Sequence, residues 1–415
     1  MSGKAILILV AAFSFLFVLR GKEILDFSTS TVDNYISYYS KTNSHSIAVS
    51  GANMAASQIF INRSWKAGYK NLDFSSGKLN VTVDSFGYDN RRITSIGTYN
   101  GYKDTVIAIL SPKNFAQYGN FYNSSAAWWA TGDTLSGPFH INDYIQCYGN
   151  PVFLGYATTK KGVQKYNAQS KPEFLGGLET GVEIPLEFDT SQIRLAAYNN
   201  GKIFSDTTKK NKVTDVQLEF FSNGNVKYQV RIDNKAWTSP VTKPLSTLAP
   251  NGVIFIERGN LFIKGKLNGQ ATIVASRKGS TKAGMIHIVD DISYNKNPLT
   301  DPTSTDMLGL VAENFVQVDF DSKRGDIDIH ASIYSQKDGL VIEKYDQYPG
   351  AYKMNLVGGI IGEKVRPTAK YKVIGGIPYP TNGYSYVHKF DTRFYKFVPP
   401  YFPKTKYFRV VAWYE

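Results

Sequence analysis

Two carboxylate pairs in this 415-residue chain, Asp290-Asp291 and Asp319-Phe-Asp321, could act as acid and base on a glycosidic bond. Neighbouring residues of a strand point to opposite faces, so Asp290 and Asp291 could cooperate only from a turn. Turn initiation is the ordinary use of such aspartates. Asp301-Pro-Thr-Ser-Thr-Asp306 gathers enough oxygens for Ca²⁺ but lacks a recognised loop spacing. The five histidines, His45, His140, His287, His330 and His388, include no H-x-x-x-H or H-E-x-x-H pair. His287 and His330 lie in apolar runs and read as hydrogen-bonded structural residues. No G-x-S-x-G elbow, P-loop or G-x-G-x-x-G occurs. The single cysteine, Cys147, excludes an intramolecular disulfide and a multi-cysteine metal site; its setting, Tyr144-Ile-Gln-Cys-Tyr148, suits a small core residue. The expectation is a protein that is not an enzyme, with no catalytic residue, cofactor or metal.

The elements around these residues are strands. Lys78–Ser85, Arg92–Tyr99 and Asp104–Leu110 alternate or run apolar over strand length, with Gly, Asn and Asp between them. Three antiparallel strands there could cover one face of a helix. From Gly132 short apolar runs recur between Gly or Asn turns: 137–142, 149–155, 252–257, 260–265, 270–276, 284–289, 307–314, 326–334 and 354–361. Without intervening helices, this pattern predicts a parallel β-helix or solenoid, with a β-sandwich as the competing architecture. Pro399, Pro400 and Pro403, with Phe402, Tyr407, Phe408, Trp413 and Tyr414, predict a C-terminal cap on the open end.

Composition agrees with an ordered, β-rich chain: 42% hydrophobic, 14% aromatic and 20% charged. The net charge of +13 permits contact with nucleic acid, anionic lipid or acidic polysaccharide. The charges are scattered, as on an ordinary solvated surface, and nucleic acid is not an expected partner. The densest basic cluster, Thr207–Val213, reads as a loop.

The first 63 residues predict one long helix. Residues 5–19 carry no charge and one hydroxyl, Ser14, and are bounded by Lys4, Arg20 and Lys22. The run is shorter than the roughly 20 residues of an ordinary membrane span. Leu19–Asp26 is a poor secretory cleavage site. Leu25, Val32, Tyr35, Ile36 and Tyr39 continue a helical period, and residues 45–60 are dense in small side chains that allow close approach to another element. Gly21 and Gly51 mark points where the helix could bend. The expected organisation is a helix over 1–63, a β-meander over 64–130 and a β-helix-like body over 131–415: an α+β fold with a large all-β part.

The start Gly3–Val10, the small-residue stretch from Tyr38 to Asn53 and the strands after it resemble pilin-like proteins of the PilX type. Gly132–Asn142 and Asp306–Asn314 resemble rungs of a β-helix domain attached to such N-termini. The resemblance implies a helix whose apolar half packs in a filament core and whose amphipathic half packs on a sheet. Pilins usually carry a glutamate at the fifth position of the processed chain. This sequence has Ala5, or Ile8 if processing follows Gly3.

The leading expectation is therefore a structural subunit of an extracellular, type IV pilus-like filament at a bacterial cell surface. Its assembly residues would be Ile6, Leu7, Leu9, Val10, Phe13, Phe15, Leu16, Phe17, Leu25, Val32, Tyr35 and Tyr39. The implied partners are copies of the chain in a helical filament, an inner membrane before assembly and the pilus assembly machinery. A minor or accessory PilX-like pilin, or a membrane-anchored β-helix protein acting on polysaccharide, are the alternatives.

Overall fold

A computed structural model describes residues 3–87, 90–187, 190–206, 212–319, 325–347, 350–374 and 377–415. The chain forms two compact units, Met1–Pro112 with Tyr407–Glu415, and Lys113–Lys406.

The first unit begins with helix α1, Gly3–Ile61, unbroken at Gly21 and Gly51. Its buried positions are Ser40, Ser44, Ile47, Ala48, Gly51, Ala52, Ala55, Ala56 and Ile59, a single stripe at helical spacing. The stripe lies on an antiparallel meander of β1 (Tyr69–Phe74), β2 (Gly77–Phe86), β3 (Asn90–Tyr99) and β4 (Tyr102–Asn114). The turns after β1 and β3 have two consecutive positive-φ residues, Ser75-Ser76 (48°, 60°) and Asn100-Gly101 (46°, 83°), the tight form that suits strand twist. Alternation turns Leu79, Val81 and Val83 of β2, Ile93 of β3, and Val106, Ala108 and Leu110 of β4 inward, where they form one core with Ile47, Ala48, Ala52, Ala55 and Ile59. Small residues set the packing distance. A Cβ at Gly97 would stand 2.0 Å from the Ser44 carbonyl oxygen, and one at Gly51 would stand 2.3 Å from Leu79 Cδ1. Gly51 is therefore a contact point, not a bend.

The second unit is built on parallel ladders. One column, in spatial order, pairs 202–204, 253–256, 270–275, 307–312, 327–335, 350–365, 120–125, 139–141, 157–159 and 178–180. The chain enters this column in its middle. The run 120–180 stacks outward from that point. The chain then resumes at the far end with 202–204 and winds back until 350–365 pairs with 120–125. Two runs thus meet at one seam, Ile360 opposite Asn120.

The column is buried on both faces, which is why its strands are near-continuous apolar runs. On one face Ile254, Ile273, Leu310, Ile333 and Ile360 stack in register. On the other, Phe255, Val274, Val311, Tyr334, Ile361 and Phe121 stack. This second face is covered by helix α2 (Ser191–Asn200) through Ile193, Ala196 and Ala197, and by Phe390, Phe394 and Phe402. A second set of ladders runs through 214–220, 259–267, 286–294, 316–318 and 340–342.

Three expectations differ from the structure. Residues 113–130, assigned to the meander from sequence, fold with the second unit because 120–125 is a rung of its main column. The segment Lys404–Tyr414 is not a cap: it is the fifth strand of the meander sheet, beside β4, and Phe408 joins that core. Phe402 does cover the second unit's core. Helix α2 was not anticipated.

Candidate functional site: the exposed half of the N-terminal helix

Helix α1 changes character at Ser40. From Ser40 to Ile59 one stripe is buried; before Ser40 no side chain is. The twelve residues expected to form an assembly surface are 48% to 75% exposed, from Tyr39 to Phe17. Ile8, Val18, Leu19, Ile24, Phe27, Ile36 and Tyr38 are exposed with them. Positions 6–10 and 13–19 go more than once round the helix, so the segment is apolar on all sides and offers no polar face to water. Such a helix is stable only when surrounded, by protein or by lipid. It passes by length and composition as a membrane span. Backbone hydrogen bonding inside α1 lets it enter an apolar phase without unpaired peptide groups.

Toward Ser40 the segment becomes aromatic and hydroxylic. Tyr35 stacks on Tyr39 with centroids 6.2 Å apart, and Tyr39 meets Tyr99 of β3 edge-on at 6.0 Å. Tyr39 is thus the hinge between the two halves: it touches the sheet and remains half exposed. The face of Leu25, Val32, Tyr35 and Ile36, which the sequence assigns equally to packing on the body, is open in this unit. Arg20 and Glu23 pair at 2.7 Å on the exposed surface, where such pairs contribute little.

The residues with chemical potential are otherwise engaged. His287 Nδ1 lies 2.9 Å from Asp319 Oδ1, which also accepts from Gln317 Nε2 at 2.8 Å. Asp321 lies outside the described residues, as do positions 207–211 of the basic cluster. Asp290 and Asp291 sit within the strand Ile286–Tyr294, where the pairing register shifts; Asp290 Oδ1 accepts from Asp291 N and Asp291 Oδ1 from Asp328 N. Asp301 Oδ1 accepts from the amide and hydroxyl of Thr303. Asp306 receives the amides of Gly269 and Lys296 on separate oxygens. Those carboxylates accept backbone amides and the Thr303 hydroxyl, and no cluster of three or more His, Cys, Asp or Glu side chains able to hold a metal occurs among the described residues. Cys147 is fully buried and burial pushes its thiol up to about 12.

Two histidines are integral to the second unit. His388 accepts the amides of Ser136 N (3.3 Å) and Asn120 Nδ2 (3.2 Å) at Nδ1 and donates from Nε2 to Gly358 O at 3.0 Å. His140 contacts Thr158 Oγ1 at 2.7 Å and Asn142 Oδ1 at 2.9 Å. Burial lowers both to about 4, so each is neutral near pH 7. His330, also lowered by burial, accepts the Tyr294 amide at Nδ1. Sequence reasoning missed Gly97 as a packing determinant. A lone glycine inside the alternating run Arg92–Tyr99 is the signal that marks a close approach.

No protein-family model matches this chain, and no curated protein matches it. Among solved structures, the crystal structure of the competence-associated pilin ComZ from Thermus thermophilus is similar over 90% of this chain and 97% of that one, at 10% identity and a TM-score of 0.37. A likeness this loose leaves the helix and the sheet to be judged by their own geometry.

Proposed function

We propose that the chain is a structural subunit of a pilus-like filament at the cell surface. Copies would bury residues 3–39 of α1 among one another and display the β-rich body outward. One observation carries this reading: a single unbroken helix is packed on its own sheet from Ser40 to Ile59 and exposed before it, with apolar residues on every side over 6–19. Each large apolar side chain removed from water contributes roughly 1.5–3 kcal/mol, so many copies of residues 5–19 and the twelve assembly positions provide ample drive before ordering costs. Before assembly the same segment would rest in a membrane, with Lys4 on one side and Arg20 and Lys22 on the other. The stacked parallel rungs of the second unit read as a β-solenoid, a durable body for a protein without disulfides, and its role in this proposal is structural, not enzymatic.

A second reading is favoured by one position. Ala5, or Ile8 if processing follows Gly3, stands where a pilin would place a glutamate, which suits a PilX-like accessory subunit better than a major one. Deleting residues 1–20 in the parent cell separates these. Loss of filaments supports a major subunit, while shorter or fewer filaments support an accessory one. Filaments unchanged in number and length would overturn both.

A further inference from the structure

The seam between the two runs of the second unit encloses a cavity of about 320 Å³, within the size range of small-ligand sites. The first run contributes Tyr122, Trp128, Trp129, Tyr148 and Asp133; the second contributes Tyr371, Tyr386 and Arg366. Six of its eighteen lining residues are thus aromatic, and most of the others are small or aliphatic. Trp129 stands between Tyr122 (centroids 6.2 Å apart) and Tyr386 (6.4 Å), each pair tilted. Tyr122 and Tyr386 both donate their hydroxyls to Asn120 Oδ1 at 3.3 Å, and Asn120 in turn holds His388. The two phenols are thereby anchored in the seam.

One polar group at this cavity is left over. The carboxyl of Asp133 accepts one hydrogen bond, from the Ala130 amide at 2.7 Å, and no cationic side chain pairs with it among the described residues. Arg366, the one cation of the lining, is held by Asp338 through two bonds of 2.5 and 2.6 Å. A carboxylate among aromatic rings and without a counter-charge is costly. A guest cation answers it.

We propose that the seam cavity binds a small alkylammonium cation, such as choline. Asp133 supplies the counter-charge, and the rings of Tyr122, Trp129 and Tyr386 take the N-alkyl groups. Aromatic faces attract such cations through their quadrupole. A neutral guest would leave the carboxylate uncompensated, and an anion would be repelled by it. Burial raises the Asp133 carboxyl to about 7. The groups that sense its charge are Tyr371, Tyr386 and Cys147, all of which are protonated at neutral pH. The cation therefore meets an ionised Asp133 above about pH 7 and a neutral one below.

The test is calorimetric titration of the full chain in non-ionic detergent with choline, with phosphocholine as the headgroup form, and with the neutral carbon isostere 3,3-dimethylbutan-1-ol. Choline is expected to bind at about pH 8 and at least about ten-fold more weakly at about pH 5.5, with the isostere at least about ten-fold weaker at the higher pH. Phosphocholine binding as well as choline would place the natural ligand on a headgroup; choline alone would place it in solution. Asp133→Asn keeps an acceptor for the Ala130 amide and is expected to abolish the preference for choline over the isostere. No binding of choline, equal binding of the isostere, or pH-independent affinity in the unmutated protein would overturn the proposal, whether or not the variant folds.

Discussion

The two halves of α1 have similar helical sequence rules and opposite fates. From Ser40 to Ile59 the helix buries Ser, Ala, Gly and Ile against β2, β3 and β4; before Ser40 it exposes Leu, Ile, Val, Phe and Tyr. The more apolar half is the uncovered one. Packing on the sheet needs small side chains, because Gly97 and Gly51 bring backbone against backbone and side chain with no room for a Cβ. At those two contacts a large side chain is excluded, while Ile47 and Ile59 fill the core beside them. The difference separates what holds one subunit together from what is left for joining several.

The largest effect should come from charge in the exposed half. Leu9→Asp with Phe13→Asp costs roughly 2.5–3.5 kcal/mol per charge in an apolar phase. Membrane retention and assembly should be lost in fractionation, while the melting of the body is unchanged. Coupled loss of both would break the comparison. Acid should act on the other side of it. His140 and His388 have folded-state values lowered to about 4 from an ordinary 6.5, so the unfolded chain binds more protons between these values. The stability they contribute is present above about pH 6.5 and is lost as pH falls toward 4, on the order of 3 kcal/mol for each. Denaturant titrations at several pH values should show this for the second unit, with a smaller acid loss in His388→Gln.

Smaller changes sharpen the contrast within the helix. Gly97→Val would push into the Ser44 carbonyl and should destabilise the first unit by about 1–3 kcal/mol in denaturant melts. The same Gly→Ala exchange should have opposite signs in the two halves. At Gly21 nothing lies within 4 Å of an added Cβ, so alanine should strengthen the exposed half by roughly 0.5–1 kcal/mol, read as slower amide exchange there. At Gly51 the methyl would meet the fully buried Leu79, and the first unit should lose stability. Equal effects at both positions would mean that the halves are not distinct in the isolated chain.

Much of this was legible in the residues. Runs such as Val253–Ile256 and Met307–Ala312 announced strands buried on both faces, and the alternation in 78–110 announced a meander. The irregular rung spacing had a physical origin that no local pattern shows: rung order is not chain order, because 120–180 and 202–389 meet at the Asn120–Ile360 seam. The seam cavity was hidden for the same reason, since Trp129 and Tyr386 are 257 positions apart in sequence yet 6.4 Å apart by ring centroid. Helix α2 escaped notice because only Ile193, Ala196 and Ala197 of its ten residues are buried, too short a stripe to stand out. Lys404–Tyr414 looked like a cap because its prolines and rings precede a strand whose partner, β4, lies some 300 residues earlier. The end of the packed stripe at Ser40 could not be read from Leu25, Val32, Tyr35, Ile36 and Tyr39, whose spacing serves either kind of neighbour.

The central claim is that residues 3–39 meet other copies of the same segment. Cys147 is buried and its thiol unreactive, so cysteines placed at Phe13 and Val32 would be the reactive pair of the full chain. Cross-linking of surface material with a short bis-maleimide measures the contact directly. A ladder of dimers and higher multiples, absent after detergent dispersal, is the expected result. A single monomer band from intact surface material would contradict the account and leave the helix as a membrane anchor.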